Sequence, residues 1–534
     1  MSKSVYLINP QALPGYYGAE VCTHLKLTPA VWVADPAITT IAALAPDDFV
    51  ITLCEQHLTP ADLDTAADYI GLTGKSSQVG AMLELAKAYR QRGKTVLIGG
   101  PFASLSPDTV RPYCDILVRG EIEDIAMDLF DDLRTGRWRR EYVGGRPDLT
   151  SSPIPRWELY PNEQALLGCV QTSRGCPFEC EFCDVIQYVG RKQRHKSIAQ
   201  ILAELDKLYQ LGYKNVFFAD DNFTVYRRRT KELLKALRDW NHRQPEGALR
   251  FSTQLSIDIA RDDDILQLCA EAGLGYVYIG IETPNEASLK ETKKHQNVGI
   301  DLLGQIQRFL DHGIAIMGGM IVGFDSDGPD IFEQQYHFAM STPIPIFSLG
   351  ALIAPESTPL YSRMQAANRL IAQDYSDTLA ASCPWETNII PQQMSQQTLL
   401  TGIKWLANQL YHPAHFGRRV LQFVERYQPV QQNVLRYRQT RRFAEAQIMQ
   451  TIRDIRHLGA GESSMYKELI AATQANPDLQ WYVLQMIFQY RQIRYMFEKG
   501  QFWEPYVTSF ASPNFNSMQS DMASATSFVA NRWA

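Results

Sequence analysis

The run Thr172-Ser-Arg-Gly-Cys176-Pro-Phe-Glu-Cys180-Glu-Phe182-Cys183-Asp184 places three cysteines within eight residues, at the spacing C-x3-C-x2-C. Three thiolates so spaced can hold three irons of a [4Fe-4S] cubane. Such a cluster ordinarily takes four cysteines, so the fourth iron is left open to a substrate or cofactor. An open iron points to chemistry rather than electron relay. Zinc is the competing occupant, but a structural zinc site takes four ligands, commonly from two C-x2-C pairs. This chain has no second pair, and His195 is the candidate left to complete the set.

The triplet directly follows an apolar stretch, and from there to about residue 352 short apolar runs alternate with helical patterns. Strands are predicted at 165–172, 215–219, 250–255, 276–281, 314–322 and 346–353. Helices are predicted at 197–211, 228–241, 262–272, 285–292, 299–312 and 329–340. Six strands with interposed helices predict an α/β fold, a partial (β/α)6 barrel over 166–360 whose working face lies at the strand C-termini. The cysteine loop falls on that face.

Residues 1–145 alternate in the same way, with strands at 5–9, 49–53, 69–73, 95–98 and 116–118, and a helix at 79–92 stopped by Gly93. This predicts a doubly wound parallel sheet, which binds ligands at the carboxyl ends of its strands. Small residues gather there: Gly71-Leu-Thr73-Gly74, Gly99-Gly100-Pro101 and Gly120-Glu121. They suit the close passage of a large ligand, and equally the tight turns such a fold needs. Residues 146–165, rich in Pro, Gly and Ser, read as a linker. Residues 361–509 read as an all-helical C-terminal domain, with helices at 395–410, 415–427, 442–457, 463–475 and 479–499. Its aromatics Trp405, Tyr411, Trp481, Phe488 and Tyr495 suit either a core or an apolar substrate pocket. The polar stretch 510–534 is expected to be a mobile tail.

At 534 residues the chain exceeds what one core supports, so two or three domains are expected. A formal charge of −6 and a pI near 6.0 argue against a nucleic-acid partner. No apolar run is long enough to span a membrane; peripheral contact stays open. No signal peptide is visible, and the other six cysteines (Cys22, Cys54, Cys114, Cys169, Cys269 and Cys383) are scattered. That usage fits a reducing cytoplasm rather than a secreted disulfide framework.

Cys176-x3-Cys180-x-Phe182-Cys183 after a strand, opening a β/α barrel, resembles the radical S-adenosylmethionine (SAM) enzymes. The resemblance implies that the open iron chelates SAM, which is cleaved reductively to a 5′-deoxyadenosyl radical. It further implies that Phe182 walls the site and that Asp220 and Asp221, in Phe218-Ala-Asp-Asp-Asn-Phe223, accept from the SAM ammonium. Glu282 of Gly280-Ile-Glu282 would reach the ribose, Gly323 would admit the cofactor to the fifth strand, and Gln254 completes the SAM set. A flavodoxin-like (Rossmann-type) domain before such a barrel resembles the cobalamin-binding class. Thr73, Gly74, Gly99, Gly100, Pro101, Gly120 and Glu121 would then line the cobalamin channel. The D-x-H-x-x-G signature of histidine-ligated cobalamin is absent after the first strand, where Asn9-Pro-Gln-Ala-Leu-Pro-Gly15 stands. His57 follows the second strand and reads as incidental, so no histidine is expected on the cobalt's lower face.

Further motifs extend the likeness to hopanoid C-2 methylases and bacteriochlorophyll side-chain methylases: Tyr188-x-Gly190-Arg191, Gly280-Ile-Glu-Thr-Pro284, Pro355-x-x-Thr-Pro-Leu360, and Leu410-Tyr-His-Pro413 with Phe416 and Arg418. This implies methylation of an unactivated carbon through methylcobalamin, on a small-molecule, lipid or tetrapyrrole-like substrate. It also implies an external electron donor of flavodoxin or ferredoxin type. An oxidative cyclase or rearrangement enzyme with the same cofactors is the alternative. An RNA methylthiotransferase fits less well, because no cysteine stands in the Gly99-Gly100-Pro101 turn and no basic module follows the barrel. A non-enzymatic iron–sulfur protein would cleave no SAM. The basic run Arg191, Lys192, Arg194, His195 and Lys196 suits an anionic ligand or a solvated face.

Overall fold

The protein is described by a computed structural model covering residues 2–371, 386–428, 435–439 and 443–505. The expected tail, 510–534, and Cys383 lie outside the described residues. The first sheet holds β1 (Lys3–Asn9), β3 (Phe49–Glu55), β4 (Tyr69–Thr73), β5 (Thr95–Gly99), β6 (Ile116–Arg119) and β7 (Glu141–Val143). All are parallel, in the order β3-β1-β4-β5-β6-β7. Its first five strands follow the flavodoxin-like order, with the reversal of direction between β1 and β4. β4 is buried at every residue, as a strand covered on both faces must be. Helix Val79–Gln91 covers one face, over a core of Ile8, Ile70, Met82, Ala86 and Ile98.

β2 (Val31–Val33) does not join that sheet. It pairs with β8 (Ala165–Val170), so an N-terminal segment closes the edge of the second sheet. That sheet continues through β11 (Asn215–Phe218), β12 (Arg250–Leu255), β13 (Leu274–Glu282), β14 (Ala315–Val322) and β15 (Ile346–Ala351), in the order β15-β14-β13-β12-β11-β8-β2. A two-stranded clip, β9 (Ser173–Arg174) with β10 (Arg194–His195), frames the cysteine loop. The six barrel strands lie where the sequence predicts them. The seventh, β2, is too short to show a period of its own.

Residues 146–165 do not hang free between the two sheets. Trp157 is fully buried, Tyr160 donates to Glu55 at 3.0 Å, and Arg156 N–H donates to Thr39 at 3.0 Å. The proline-rich stretch is a packed strap. The helical region is likewise built onto the barrel. In helix Gln480–Lys499, Gln489 accepts from Tyr276 of β13 at 3.0 Å, and Gln492 accepts from Val21 N–H at 3.0 Å. Arg419, buried in helix Pro413–Arg426, donates to the carbonyls of Leu410 and Pro345, while its neighbour Arg418 is exposed. One apolar core therefore runs from the first sheet through the barrel into the helices. A chain beginning at residue 146 loses β2 and exposes the β8 edge. We expect it to be recovered only as aggregate, which size-exclusion chromatography of the truncated chain checks; a monomeric, cooperatively melting product would contradict the shared core.

Candidate functional site

The cysteine loop leaves β8 and is organised from beneath by Asp220. This carboxylate, 1% exposed at the end of β11, accepts from Thr172 N–H at 2.7 Å, Ser173 N–H at 3.2 Å, Ser173 Oγ at 2.7 Å and Thr172 Oγ1. Both its oxygens are spent on the chain entering the loop, so the structure makes Asp220 a positioning residue rather than a free acceptor for the SAM ammonium. Asp221 accepts from Gly175 N–H at 2.7 Å, one residue before Cys176; burial pushes its pKa up to about 6. Gly175 has φ +106°, and a Cβ there would meet the Lys192 carbonyl at 2.6 Å. Only glycine fits where the loop crosses the β10 side of the clip.

Cys180 is buried, and Cys176 and Cys183 are partly so. Burial pushes the Cys176 thiol up and that of Cys183 up to about 12. Cluster iron binds thiolates, so ligation would displace these protons. Gln296 donates to Cys180 Sγ at 3.6 Å.

Charged staples hold the loop to its surroundings. Arg174 binds Glu121 at 2.6 Å and Glu123 at 2.7 Å, and Arg194 binds Glu121 from the other side. Glu121 therefore faces the predicted cobalamin slot with its charge already paired to the barrel. The basic run is absorbed in the same way: Lys196 pairs with buried Glu204, and Arg191 with exposed Glu179. On the far side Arg363 grips Glu181 with two bonds of 2.8 and 2.9 Å, and Leu360 N–H donates to the Glu181 carbonyl. The Pro355-x-x-Thr-Pro-Leu360 motif serves this docking: Thr358 caps helix Pro359–Ala366 by accepting from Tyr361 N–H.

At the end of β13, Glu282 sits at φ +67° and its Oε1 accepts from Lys294 at 2.7 Å. Gly280 makes this possible, since a Cβ there would lie 2.3 Å from Glu282 Oε1. Burial alone would lower Lys294, but Glu282 and Cys180 hold its ammonium above the ordinary value. Lys294 thus places a fixed positive charge among the cysteines. Gly323 (φ +104°) turns β14 into Phe324, whose ring meets Phe182 at 6.0 Å. Phe182, Glu282 and Gly323 stand around the cysteine loop. Gln254, at the end of β12, lines the central cavity.

That central cavity, about 610 Å³, lies between the two sheets. Gln254, Ser252, Tyr276 and Tyr278 line it from the barrel, with Gln485 and Gln489 from the helical region. From the N-terminal segment come Tyr17, Glu20, Glu55 and His57. Tyr17 is 43% exposed, yet packs edge-on against Tyr278 at 5.8 Å; its open face is the cavity. Burial pushes Glu20 and Glu55 up to about 7 and His57 down to about 4. His57 Nε2 accepts from Ala12 N–H at 3.0 Å, and its Nδ1 lies 3.9 Å from Glu20 Oε1. A second cavity of about 260 Å³ runs along the ends of β1, β4, β5 and β6. Thr73, Gly74, Gly99, Gly100, Pro101, Gly120 and Glu121 all line it, together with Gly71. Gly100, at φ +92°, could not carry a Cβ without meeting Thr73 Oγ1 at 2.6 Å. The two cavities share Asn9, Asp35, Pro36, Lys75 and Gln78 as walls.

Lys294, Gln296, Arg174, Arg363 and the Tyr17–Tyr278 pair escape sequence reasoning. Lys294 stands in the polar run Thr292-Lys-Lys-His-Gln296, which reads as a solvated turn. No local pattern marks it; only its neighbours in space do.

A parallel half-barrel with a three-cysteine loop at its C-terminal face, fronted by a flavodoxin-ordered sheet, defines a class by geometry alone. Residues 170–339 match the Radical SAM superfamily, and residues 358–512 match a domain of unknown function, DUF4070. An uncharacterised methyltransferase of Synechocystis sp. is 36% identical, over 68% of this chain and 69% of its own length. The hopanoid C-2 methylase of Rhodopseudomonas palustris is 32% identical over 65% and 67%. The fold resembles that of the cobalamin-dependent S-adenosylmethionine radical enzyme OxsB, with TM-score 0.60 at 14% identity, over 93% of this chain and 80% of that one. The chain belongs to the radical SAM superfamily, in the group that includes these two methyltransferases.

Two outcomes follow from the geometry. Asp220→Asn leaves the Thr172 and Ser173 donors short of acceptors; we expect a stability loss of about 2–4 kcal/mol and poor iron retention, read by thermal melting and iron analysis. Glu55, 3% exposed, has its pKa raised from 4.5 to about 7. Between those pH values the unfolded chain ionises while the native carboxyl stays protonated, so this group's contribution to stability falls as pH rises. Glu55→Gln removes that dependence. Wild type should lose up to about 3 kcal/mol relative to the variant across that window, measurable by urea unfolding at stepped pH.

Proposed function

We propose that the protein is a cobalamin-dependent radical SAM enzyme that methylates an unactivated carbon of a hydrophobic small molecule. One observation carries this reading: a glycine-lined slot on a flavodoxin-ordered sheet shares walls with a cavity floored by the half-barrel that bears the cysteine loop. Cys176, Cys180 and Cys183 would hold the cluster, leaving one iron for SAM. Phe182, Asp221, Glu282 and Gly323 would surround SAM, and Thr73, Gly74, Gly99, Gly100, Pro101 and Gly120 would pass the cobalamin tail. The slot suits such a group because glycines stand at the ends of β4, β5 and β6, where backbone is left uncovered between apolar side chains such as Leu72, Leu97 and Val118. When bound, these cofactors supply a 5′-deoxyadenosyl radical to take a substrate hydrogen and a methyl group to replace it.

The chain's own residues bind, orient and exclude. Lys294 offsets the negative charge of three thiolates, and Glu282 holds Lys294 there. Tyr17 and Tyr278 present aromatic walls to the substrate and keep water from it. Asp220, Arg174 and Arg363 hold the loop rigid, so that the reacting groups meet within a few ångström. The electron donor would be a flavodoxin- or ferredoxin-type protein. A reducing cytoplasm suits the free thiols. Among the described residues no helix is long and apolar enough to cross a membrane.

The test is anaerobic reconstitution with iron, sulfide and cobalamin, then incubation with SAM and a reductant. 5′-Deoxyadenosine should form and a corrinoid spectrum should accompany the protein. Without 5′-deoxyadenosine the radical reading fails; without bound corrinoid the methylation reading fails alone. Gly99→Leu points a side chain into the slot at a position free of positive φ, and should lower bound cobalamin at least about tenfold by absorbance while leaving iron content intact.

A further inference from the structure

The turn Thr292-Lys-Lys-His-Gln-Asn297 follows the short helix Glu286–Glu291 and is fastened at both ends. At its start the Thr292 carbonyl accepts at 2.9 Å from the N–H of Glu181, the residue after Cys180. At its close Asn297 Nδ2 donates to the carbonyls of Gly280 and Ile281 at the end of β13, both at 3.0 Å. Lys293, at φ +58°, is exposed, whereas its neighbour Lys294 reaches inward to Glu282. Left-handed backbone of this kind is unusual for a residue with a side chain.

Gln296 Nε2 donates to Cys180 Sγ at 3.6 Å, while its Oε1 is buried and, among the described residues, makes no hydrogen bond. A thiolate can only accept, so the amide has to present its NH2 edge to the sulfur. A buried carbonyl oxygen without a partner is uncommon. The contact with Cys180, not any bond to the oxygen, therefore sets the direction of this amide. Lys294 works beside it. Burial opposes both charges, yet Lys294 favours the thiolate of Cys176, and Glu282, Cys180 and Cys183 favour the Lys294 ammonium. Adding an electron makes a thiolate-held cluster more negative. Each hydrogen bond to a sulfur, and each positive charge nearby, then favours the reduced form.

We propose that this turn sets the redox poise of the cluster: Gln296, through its hydrogen bond to the Cys180 sulfur, and Lys294, through its fixed charge beside the cysteines, raise the reduction potential. The step they ease is the transfer of one electron from a flavodoxin- or ferredoxin-type donor to the oxidised cluster. No bond forms or breaks in it, and no proton moves. Both residues act through the cysteines, as positioning residues. This assignment rests on the cluster of the proposed function, but not on cobalamin or on methyl transfer.

The test is a potentiometric titration of the anaerobically reconstituted full chain without SAM, with the reduced cluster followed by EPR and iron and sulfide measured on each preparation. Gln296→Leu, which keeps the bulk and removes the donor, should disfavour reduction about fivefold. Lys294→Met should disfavour it about tenfold, equivalent to about 59 mV for one electron. Lys294→Arg keeps the charge and should restore the wild-type potential. Lys293→Met removes the same charge from the exposed neighbour, and should stay within about twofold of wild type because solvent screens it. A turn that is merely structural predicts less cluster at an unchanged potential, or none in Gln296→Leu and Lys294→Met alike. Either result overturns the proposal, as do equal shifts for Lys293→Met and Lys294→Met. A wild-type chain that holds no cluster overturns this assignment and the proposed function together. A wild-type cluster that cleaves SAM, with unshifted potentials in the variants, removes this assignment alone.

Discussion

Glu121 and Arg174 hold this protein's two sheets in one relation. A carboxylate at the end of β6 and a guanidinium at the mouth of the cysteine loop meet at 2.6 Å, with Arg194 and Glu123 completing a four-membered network of balanced charge. Burying four charges gains little stability over an apolar contact. It does forbid slippage, because any shift of one sheet against the other would strand a buried charge. The central cavity exists only between sheets so fixed, and the loop that shares the network is fixed with them. Position, rather than strength, is what this network contributes.

The same economy recurs around the loop. Asp220 spends four hydrogen bonds on two consecutive residues, and Glu181 spends its carboxylate on Arg363. The acidic residues that look most like ligand contacts are thus largely framework. Directed into the central cavity are Gln254, Tyr17, Tyr278 and the buried carboxyls Glu20 and Glu55, with Asp35 and Lys75 on the wall it shares with the slot.

Much of this was legible in the chain. The six barrel strands and five strands of the first sheet are long enough, and apolar enough, for their period to survive inspection. The glycines of the slot could be placed because they stand at strand ends. Three things were hidden. β2 has three residues and borrows its identity from β8. The strap at 146–165 has a linker's composition, yet Trp157 and Tyr160 bury it. Lys294 and Arg174 carry no local mark, since their importance comes from partners distant in sequence. The aromatics of the helical region divided: Trp405, Tyr411 and Phe488 are buried in the core, while Trp481 is half-buried at a small cavity beside the start of β12. Periodicity locates a buried face but does not say whether protein or ligand covers it.

The borrowed strand also bears on how the chain is made. Val31–Val33 leaves the ribosome roughly 130 residues ahead of β8, its only partner in the sheet. At about 5–20 residues per second that is a wait of roughly 7–26 seconds with an unpaired edge. The first sheet can close in that interval around β1, β3 and β4, leaving the β2 segment looped out between them. Early folding of the N-terminal third therefore finishes with one strand held in reserve, and the barrel is completed by a piece synthesised before any of its own strands.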